Sequence, residues 1–303
     1  MVDVIVIGGG PAGMTAALYA LRNGKTALVL EKESFGGQIT HSPKVENYPG
    51  TLQMSGNEYA DRLLEQILAQ GAQIELETAV SIEDCGDSKA VLTEEGSRFE
   101  GRTVILATGV QHRMLGLEGE EELVGNGISF CAVCDGDFYA GRRVCVAGGD
   151  NSALQEAILL SEKCSEVVIL QDLPLCTGEQ RLQDVLFARP NVRLLTRVKI
   201  HGLIETDGLL TGLRITQGGG PEEILPCDGL FVAIGLIPKN EPFSALAALD
   251  AYGYFDADER CETRTPGLYV AGDCRRKTVR QLTTSIADGA CAALAACRYL
   301  NGL

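Results

Sequence analysis

Val2-Asp3-Val4-Ile5-Val6-Ile7-Gly8-Gly9-Gly10-Pro11-Ala12-Gly13 opens the chain and decides how the rest is read. Val2 to Ile7 is an apolar, β-branched run broken only by Asp3, the pattern of a buried parallel strand. Gly8, Gly10 and Gly13 then form G-x-G-x-x-G, and Met14 to Asn23 reads as a helix. In that setting each glycine has a task. Gly8 permits the tight turn, Gly10 lets a pyrophosphate approach the backbone, and Gly13 lets helix and strand pack closely. The helix N-terminus offers free N–H groups and a positive dipole end to the phosphates. A second strand, Thr26 to Leu30, ends at Glu31, an acid placed to accept a ribose hydroxyl. Alone the motif is weak. With strand, helix and terminal acid it points to a dinucleotide site rather than a coincidental glycine turn.

The pattern returns in the middle of the chain. Arg143 to Ala147 reads as a strand, Leu154 to Ser161 as a helix and Val167 to Leu170 as the next strand. The turn between the first two is Gly148-Gly149-Asp150-Asn151-Ser152-Ala153, so the motif is G-x-D-x-x-A. Asp150 puts a side chain and a negative charge where backbone should touch pyrophosphate. Like charges at close range repel by roughly 1 kcal/mol in water and several when partly buried. The next strand ends Gln171-Asp172-Leu173, where an NADPH site supplies Arg for the 2′-phosphate. Three readings fit: NADPH bound in the usual way, NADH held through Asp172, or a fold that has lost its nucleotide. The stretch from Leu173 to Arg189 either fills the old cleft or binds something else.

Between the two folds lies Cys131-Ala132-Val133-Cys134-Asp135-Gly136-Asp137. A C-x-x-C pair closes a small disulfide ring and often depresses one thiol pKa. Such a pair can exchange electrons with a flavin and then with another disulfide, with Asp135 passing the proton. The rivals are half a zinc site and two inert cysteines. Zinc needs four ligands, and the chain offers one C-x-x-C and three dispersed histidines, His41, His112 and His201; no metal site is expected. The other nine cysteines read as small buried hydrophobes.

The 303 residues suggest about two domains. With 26 basic and 41 acidic residues the formal charge is −15. That argues against nucleic acid as a partner and against docking on an anionic membrane. No apolar run approaches the ~20 residues of a membrane span, and no secretory signal is visible, so a cytoplasmic location is expected.

These residues, in this order, resemble the low-molecular-weight thioredoxin reductase family of flavin disulfide reductases. The likeness runs through Gly36-Gly37-Gln38-Ile39, Val45 to Gly50, Leu106-Ala107-Thr108-Gly109, the Cys131 to Gly136 stretch, Ala271-Gly272-Asp273 and Arg280-Gln281-Leu282. It implies an α/β fold of two Rossmann-like dinucleotide-binding domains, the second inserted into the first. FAD would be held by 1–115 and 243–303. A pyridine-nucleotide-type domain, 116–242, would carry the redox disulfide. By position, Gly8, Gly10, Ala12, Gly13 and Glu31 would serve the adenosine and pyrophosphate end. Gly37, Gln38 and Asn47 would line the flavin cleft, with Thr108 and Gly109 at a strand end beside it. Asp273 would bond the ribitol or a phosphate-bridging group, and Arg280 and Gln281 would approach the isoalloxazine, with Gly272 and Leu282 beside them in the cofactor site.

The resemblance further implies thioredoxin or a thioredoxin-like protein as partner, a homodimer, and a smaller domain that rotates so that the dithiol alternates between flavin and partner. Its usual NADPH motifs are missing at Asp150 and Gln171–Leu173. NAD(P)H is therefore doubtful, and reduced ferredoxin enters as a donor, with Arg275, Arg276, Lys277 and Arg280 as a basic docking cluster. Two other functions stand beside the reductase: a flavin-dependent dithiol oxidase using oxygen, and a non-catalytic flavin redox sensor.

Overall fold

The computed structural model describes residues 1–42 and 45–302. The chain begins β1 (Val2–Ile7), α1 (Pro11–Arg22), β2 (Ala27–Glu31), α2 (Gly56–Ala69), β3 (Gln73–Leu76), β4 (Ala79–Asp84), β5 (Lys89–Thr93) and β6 (Arg98–Leu106). After β7 (Gln111–His112) come β8 (Ile128–Ser129), α3 (Ala132–Asp135), β9 (Arg143–Ala147), α4 (Asn151–Ser161), β10 (Glu166–Gln171) and α5 (Gln180–Phe187). Then follow β11 (Val192–Thr196), β12 (Val198–Thr206), β13 (Leu209–Gln217), β14 (Glu222–Pro226), β15 (Gly229–Val232) and β16 (Leu236–Ile237). The last elements are β17 (Leu268–Val270) and α6 (Leu282–Leu300).

Two compact units result. The first is Met1–Pro43, Tyr48–Gln111 and Ile237–Leu303; the second is built on His112–Leu236. The divisions fall a few residues before the expected 115/116 and 242/243, where β7 and β16 pair as a two-stranded ribbon.

The first unit holds a seven-stranded sheet, ordered β3-β2-β1-β6-β5-β4, with β17 also on β6. β1 pairs in parallel with both β2 and β6. Val4 to Val6 are fully buried, because a central parallel strand is covered on both faces. α1 begins at Pro11, earlier than its apolar pattern predicts. Proline suits the first helical position, since its missing N–H would have no partner there anyway. α6 packs along α1 at Gly289, where a Cβ would meet the Ala12 carbonyl oxygen at 2.2 Å.

The second unit has a five-stranded sheet, β11-β10-β9-β15-β8, and a separate antiparallel sheet, β12-β13-β14. One core lies around Val144, Val146, Leu154, Leu160 and Phe231. Another joins Cys145, Val168 and Leu230 to Leu213 and Ile215 of β13. The cysteine expectation needs correction: Cys85 and Cys291 are exposed and Cys176 is half-buried. Cys85 sits just beyond β4 and Cys291 on the outer side of α6, where no core claims them. Among the described residues no helix is long and apolar enough to cross a membrane, and no three His, Cys, Asp or Glu gather as a metal site.

Candidate active site

In the first unit, the Gly8–Gly13 loop is shaped by close approaches. Gly8 has φ +113°, and a Cβ there would lie 2.2 Å from the Ala107 carbonyl oxygen; one on Gly13 would lie 1.9 Å from the Gly8 oxygen. Gly10 differs, for a Cβ there would meet nothing within 4 Å. Gly10 is also the N-cap of α1, and no side chain caps the helix. The loop therefore presents backbone N–H groups into open space at a positive dipole end. Gly37 lies beside it, its Cβ position 3.3 Å from the Gly10 Cα. Glu31 braces the loop: Gly9 N–H donates to its Oε2 at 2.7 Å and Glu33 N–H to its Oε1 at 3.0 Å.

The remaining expected residues distribute as follows. Thr108 donates to Asn240 Oδ1 at 2.8 Å, and Gly109 has φ +66° with open space around its Cβ position. Gly272 touches Ala12. Asp273 accepts the Ser285 hydroxyl at 2.9 Å; burial pushes its carboxyl up, against that hydrogen bond. Arg280 lies 4.2 Å from the Tyr254 ring centroid and reaches the Asp273 carbonyl oxygen at 3.3 Å. Gln281 caps α6 in a reciprocal box with Thr284, so the helix starts at Leu282. Gln38 falls in a 3-10 turn, Gly37–His41, and Asn47 is exposed in the loop beyond.

The basic docking cluster is not present as expected. Arg275 is 3% exposed and grips Asp288 through Nε and Nη2, both at 2.8 Å. Lys277 is turned onto the same carboxylate at 3.0 Å, and Arg276, though exposed, pairs with Asp256 at 3.1 Å. Buried cations need buried anions, and Asp288, 13 residues further along the chain, supplies one. Asn240 was also missed: fully buried, it ties Thr108 to the carbonyls of Gly253 and Cys274. A single Asn between Lys239 and Glu241 carries no local signal.

In the second unit, Cys131 and Cys134 form a disulfide with Cα atoms 5.3 Å apart. Cys131 is the N-cap of α3, and its Sγ accepts from Cys134 N–H at 3.1 Å. Val133, between the two, is 52% exposed, so a macromolecular disulfide can reach the pair. Asp135 accepts from Ser129 Oγ at 2.6 Å. Its Oδ1 is the one buried side-chain polar atom without a hydrogen-bond partner among the described residues, and burial pushes the carboxyl up. An unpartnered oxygen with a raised pKa is a place to hold a proton.

The second dinucleotide motif is capped and braced by its own chain. Asp150 caps α4, accepting from Ala153 N–H at 3.0 Å. Thr177 and Gly178 both donate backbone N–H to the Gly149 carbonyl oxygen, at 2.8 and 3.0 Å. Glu179 N–H donates to Asn151 Oδ1 at 2.7 Å. Gly178 lies against the Asp150–Asn151 backbone, where a Cβ would come within 2.9 Å. Gln171 is buried beneath Gly149 and donates to the Leu175 carbonyl oxygen at 3.1 Å. Asp172 is exposed.

Two dinucleotide folds in one chain, one bearing a half-buried disulfide beside a half-buried acid, define an oxidoreductase of the flavin–disulfide class. The model for pyridine nucleotide-disulphide oxidoreductases matches residues 2–289. A thioredoxin reductase of Listeria monocytogenes is 37% identical over 302 residues, covering 99% of this chain and 94% of that one. A Clostridium pasteurianum protein described as a 34.2 kDa protein in a rubredoxin operon is 35% identical, covering 99% and 97%. The crystal structure of thioredoxin reductase from Streptococcus pyogenes MGAS5005 superposes with a TM-score of 0.94 at 34% identity, over 100% of this chain and 99% of that one. This chain belongs to the low-molecular-weight thioredoxin reductase family and is a flavoprotein-family oxidoreductase.

The family implies FAD, and the first unit fits it. The uncapped α1 N-terminus and the unfilled space at Gly10 suit a pyrophosphate. The second unit's equivalent turn has neither property.

Proposed function

We propose that this chain is an FAD-dependent reductase of a thioredoxin or thioredoxin-like disulfide, cytoplasmic and homodimeric, whose donor is reduced ferredoxin rather than NAD(P)H. The Cys131–Cys134 disulfide, exposed at Val133 and backed by the unpartnered Asp135 Oδ1, carries the reductase reading. The Gly8–Gly13 loop would hold FAD, which would collect the two electrons the disulfide needs, one from each of two reduced ferredoxins. Two electrons entering the S–S bond break it into two sulfur anions, which take up two protons, one of them from Asp135. One of the two thiols gives up its proton and, as the thiolate, attacks a sulfur of the partner's disulfide, and the partner's other sulfur leaves as a thiolate that takes up that proton. The second cysteine then attacks the first, re-forming Cys131–Cys134 and releasing the partner as a dithiol. The capping of α4 by Asp150, where α1 has no side-chain cap, supports a donor without a pyridine nucleotide. A second copy of the chain would have an apolar groove to cover between α1, α2 and α6, lined by Leu18, Tyr19, Tyr59, Leu63 and Ile286.

Anaerobic flavin bleaching tests this. FAD-loaded protein is expected to bleach with reduced ferredoxin and to stay oxidised with NADPH or NADH. Rapid bleaching by either nucleotide overturns the donor assignment. A Cys134→Ser protein that still reduces thioredoxin overturns the relay through the disulfide.

A further inference from the structure

α4 carries one polar group that the relay above does not use. Glu156 lies on the side of α4 that meets α3, and its Oε2 accepts the N–H of Ala132. That N–H is the first of the single turn holding both redox cysteines. No lysine or arginine of the described residues pairs with Glu156. Its strongest influences are burial, which raises its pKa, the Ala132 N–H, which lowers it, and the charge of Asp135, which raises it; the net position is about 7.

The surrounding ionisable groups are few. α3 contributes Cys131, Cys134 and Asp135, and the next turn contributes Asp137, held by Lys163, and Tyr139, whose hydroxyl burial pushes up to about 12. At the starts of β9 and β10, Arg143 and Glu166 pair with each other at 3.2 Å. α5 brings Arg181 and Asp184, and Arg189 beyond it is held on Glu162 and Ser161. Of all these, Asp135 is the group whose charge bears on Glu156.

We propose that Glu156 is a positioning residue of the disulfide centre, seating the Cys131–Cys134 turn through the Ala132 N–H and sharing one proton with Asp135 of that turn. The inference rests on the disulfide-relay reading. Two nearby carboxyls in a poorly solvated place do not both ionise cheaply, so they titrate as a pair that retains one proton. When an electron pair from the donor opens the S–S bond, that proton passes by way of Asp135 to the nascent thiolate, leaving both carboxyls ionised. A proton from water then restores the pair. Glu156 touches no reacting sulfur; it acts through Asp135 and the turn.

The test uses the FAD-loaded enzyme and reads the thiols directly, without thioredoxin. Glu156→Gln keeps an oxygen for the Ala132 N–H and removes the charge. Loss of a like charge lowers neighbouring pKa values, so the alkylation profile of the reduced Cys131/Cys134 pair should move about one pH unit down. Below that midpoint the iodoacetamide rate should rise about tenfold, as the thiolate fraction does. Carboxyl-carbon NMR of the wild-type protein gives a check needing no variant: Glu156 should titrate near 7. An unshifted alkylation profile in a folded, flavin-loaded Glu156→Gln protein, or a Glu156 midpoint in the ordinary carboxylate range, overturns the proposal. Loss of thioredoxin turnover in the wild type, with these thiol profiles as expected, would instead overturn the partner assignment alone.

Discussion

The turns at Gly8–Gly13 and Gly148–Ala153 have the same architecture and opposite chemistry. Each follows a buried parallel strand and opens a helix. In each, the first glycine is forced into positive φ (+113° and +127°) by a carbonyl 2.2 or 2.3 Å from its Cβ position. The third motif position differs mildly. Gly13 is required by a 1.9 Å approach, whereas Ala153 packs its methyl near Gly148. The second position separates them. At Gly10 the helix has no protein cap and the space is open; at Asp150 a carboxylate caps the helix. A strand–turn–helix keeps its fold as long as its close approaches are kept. Whether it binds a diphosphate depends on who satisfies the helix's first N–H groups.

Three substitutions sharpen or break that contrast. Gly13→Val should have the largest effect, since its side chain collides with the Gly8 backbone rather than a flexible chain end. A loss above about 4 kcal/mol is expected for such overpacking with backbone strain, seen as a large fall in Tm and protein recovered without flavin. Survival of a normal Tm would break the claim that close approach fixes this turn. Gly10→Val should leave the apoprotein's Tm nearly unchanged, because nothing lies within 4 Å of its Cβ position. Flavin content should nonetheless fall at least about tenfold, the equivalent of about 1.4 kcal/mol of lost affinity. If flavin content held while stability dropped, the open space would have a structural role instead. Asp150→Ala should be the smallest: removal of an N-cap costs about 1 kcal/mol, read by chemical denaturation, with flavin content and its reduction by the donor unaltered. A large loss of donor-driven reduction would show that the second turn takes part in electron entry.

Much of this contrast was legible in the sequence because it is local. The Gly8 and Gly148 turns, their flanking strands and the C-x-x-C pair each declare themselves within a few residues, through periodicity, glycine placement and spacing. Helix starts were read late, at Met14 and Leu154, because proline and aspartate at a helix entry are not apolar and do not join the pattern. Arg275 to Arg280 read as a surface patch because local sequence shows charge without showing its partner. Asp288, on the following helix, turns Arg275 and Lys277 inward. Glu156 escaped for the same reason: one glutamate on an amphipathic helix looks like a solvated face until α3 is packed against it.

The sequence by itself determined the two dinucleotide folds, the disulfide pair and its neighbouring acid, since those follow from steric needs of adjacent residues. The tertiary structure alone decided which charges are buried, which N–H groups are capped, and that 177–179 lie over Gly149. Those outcomes depend on groups separated along the chain, whose energies appear only when folding removes water from between them.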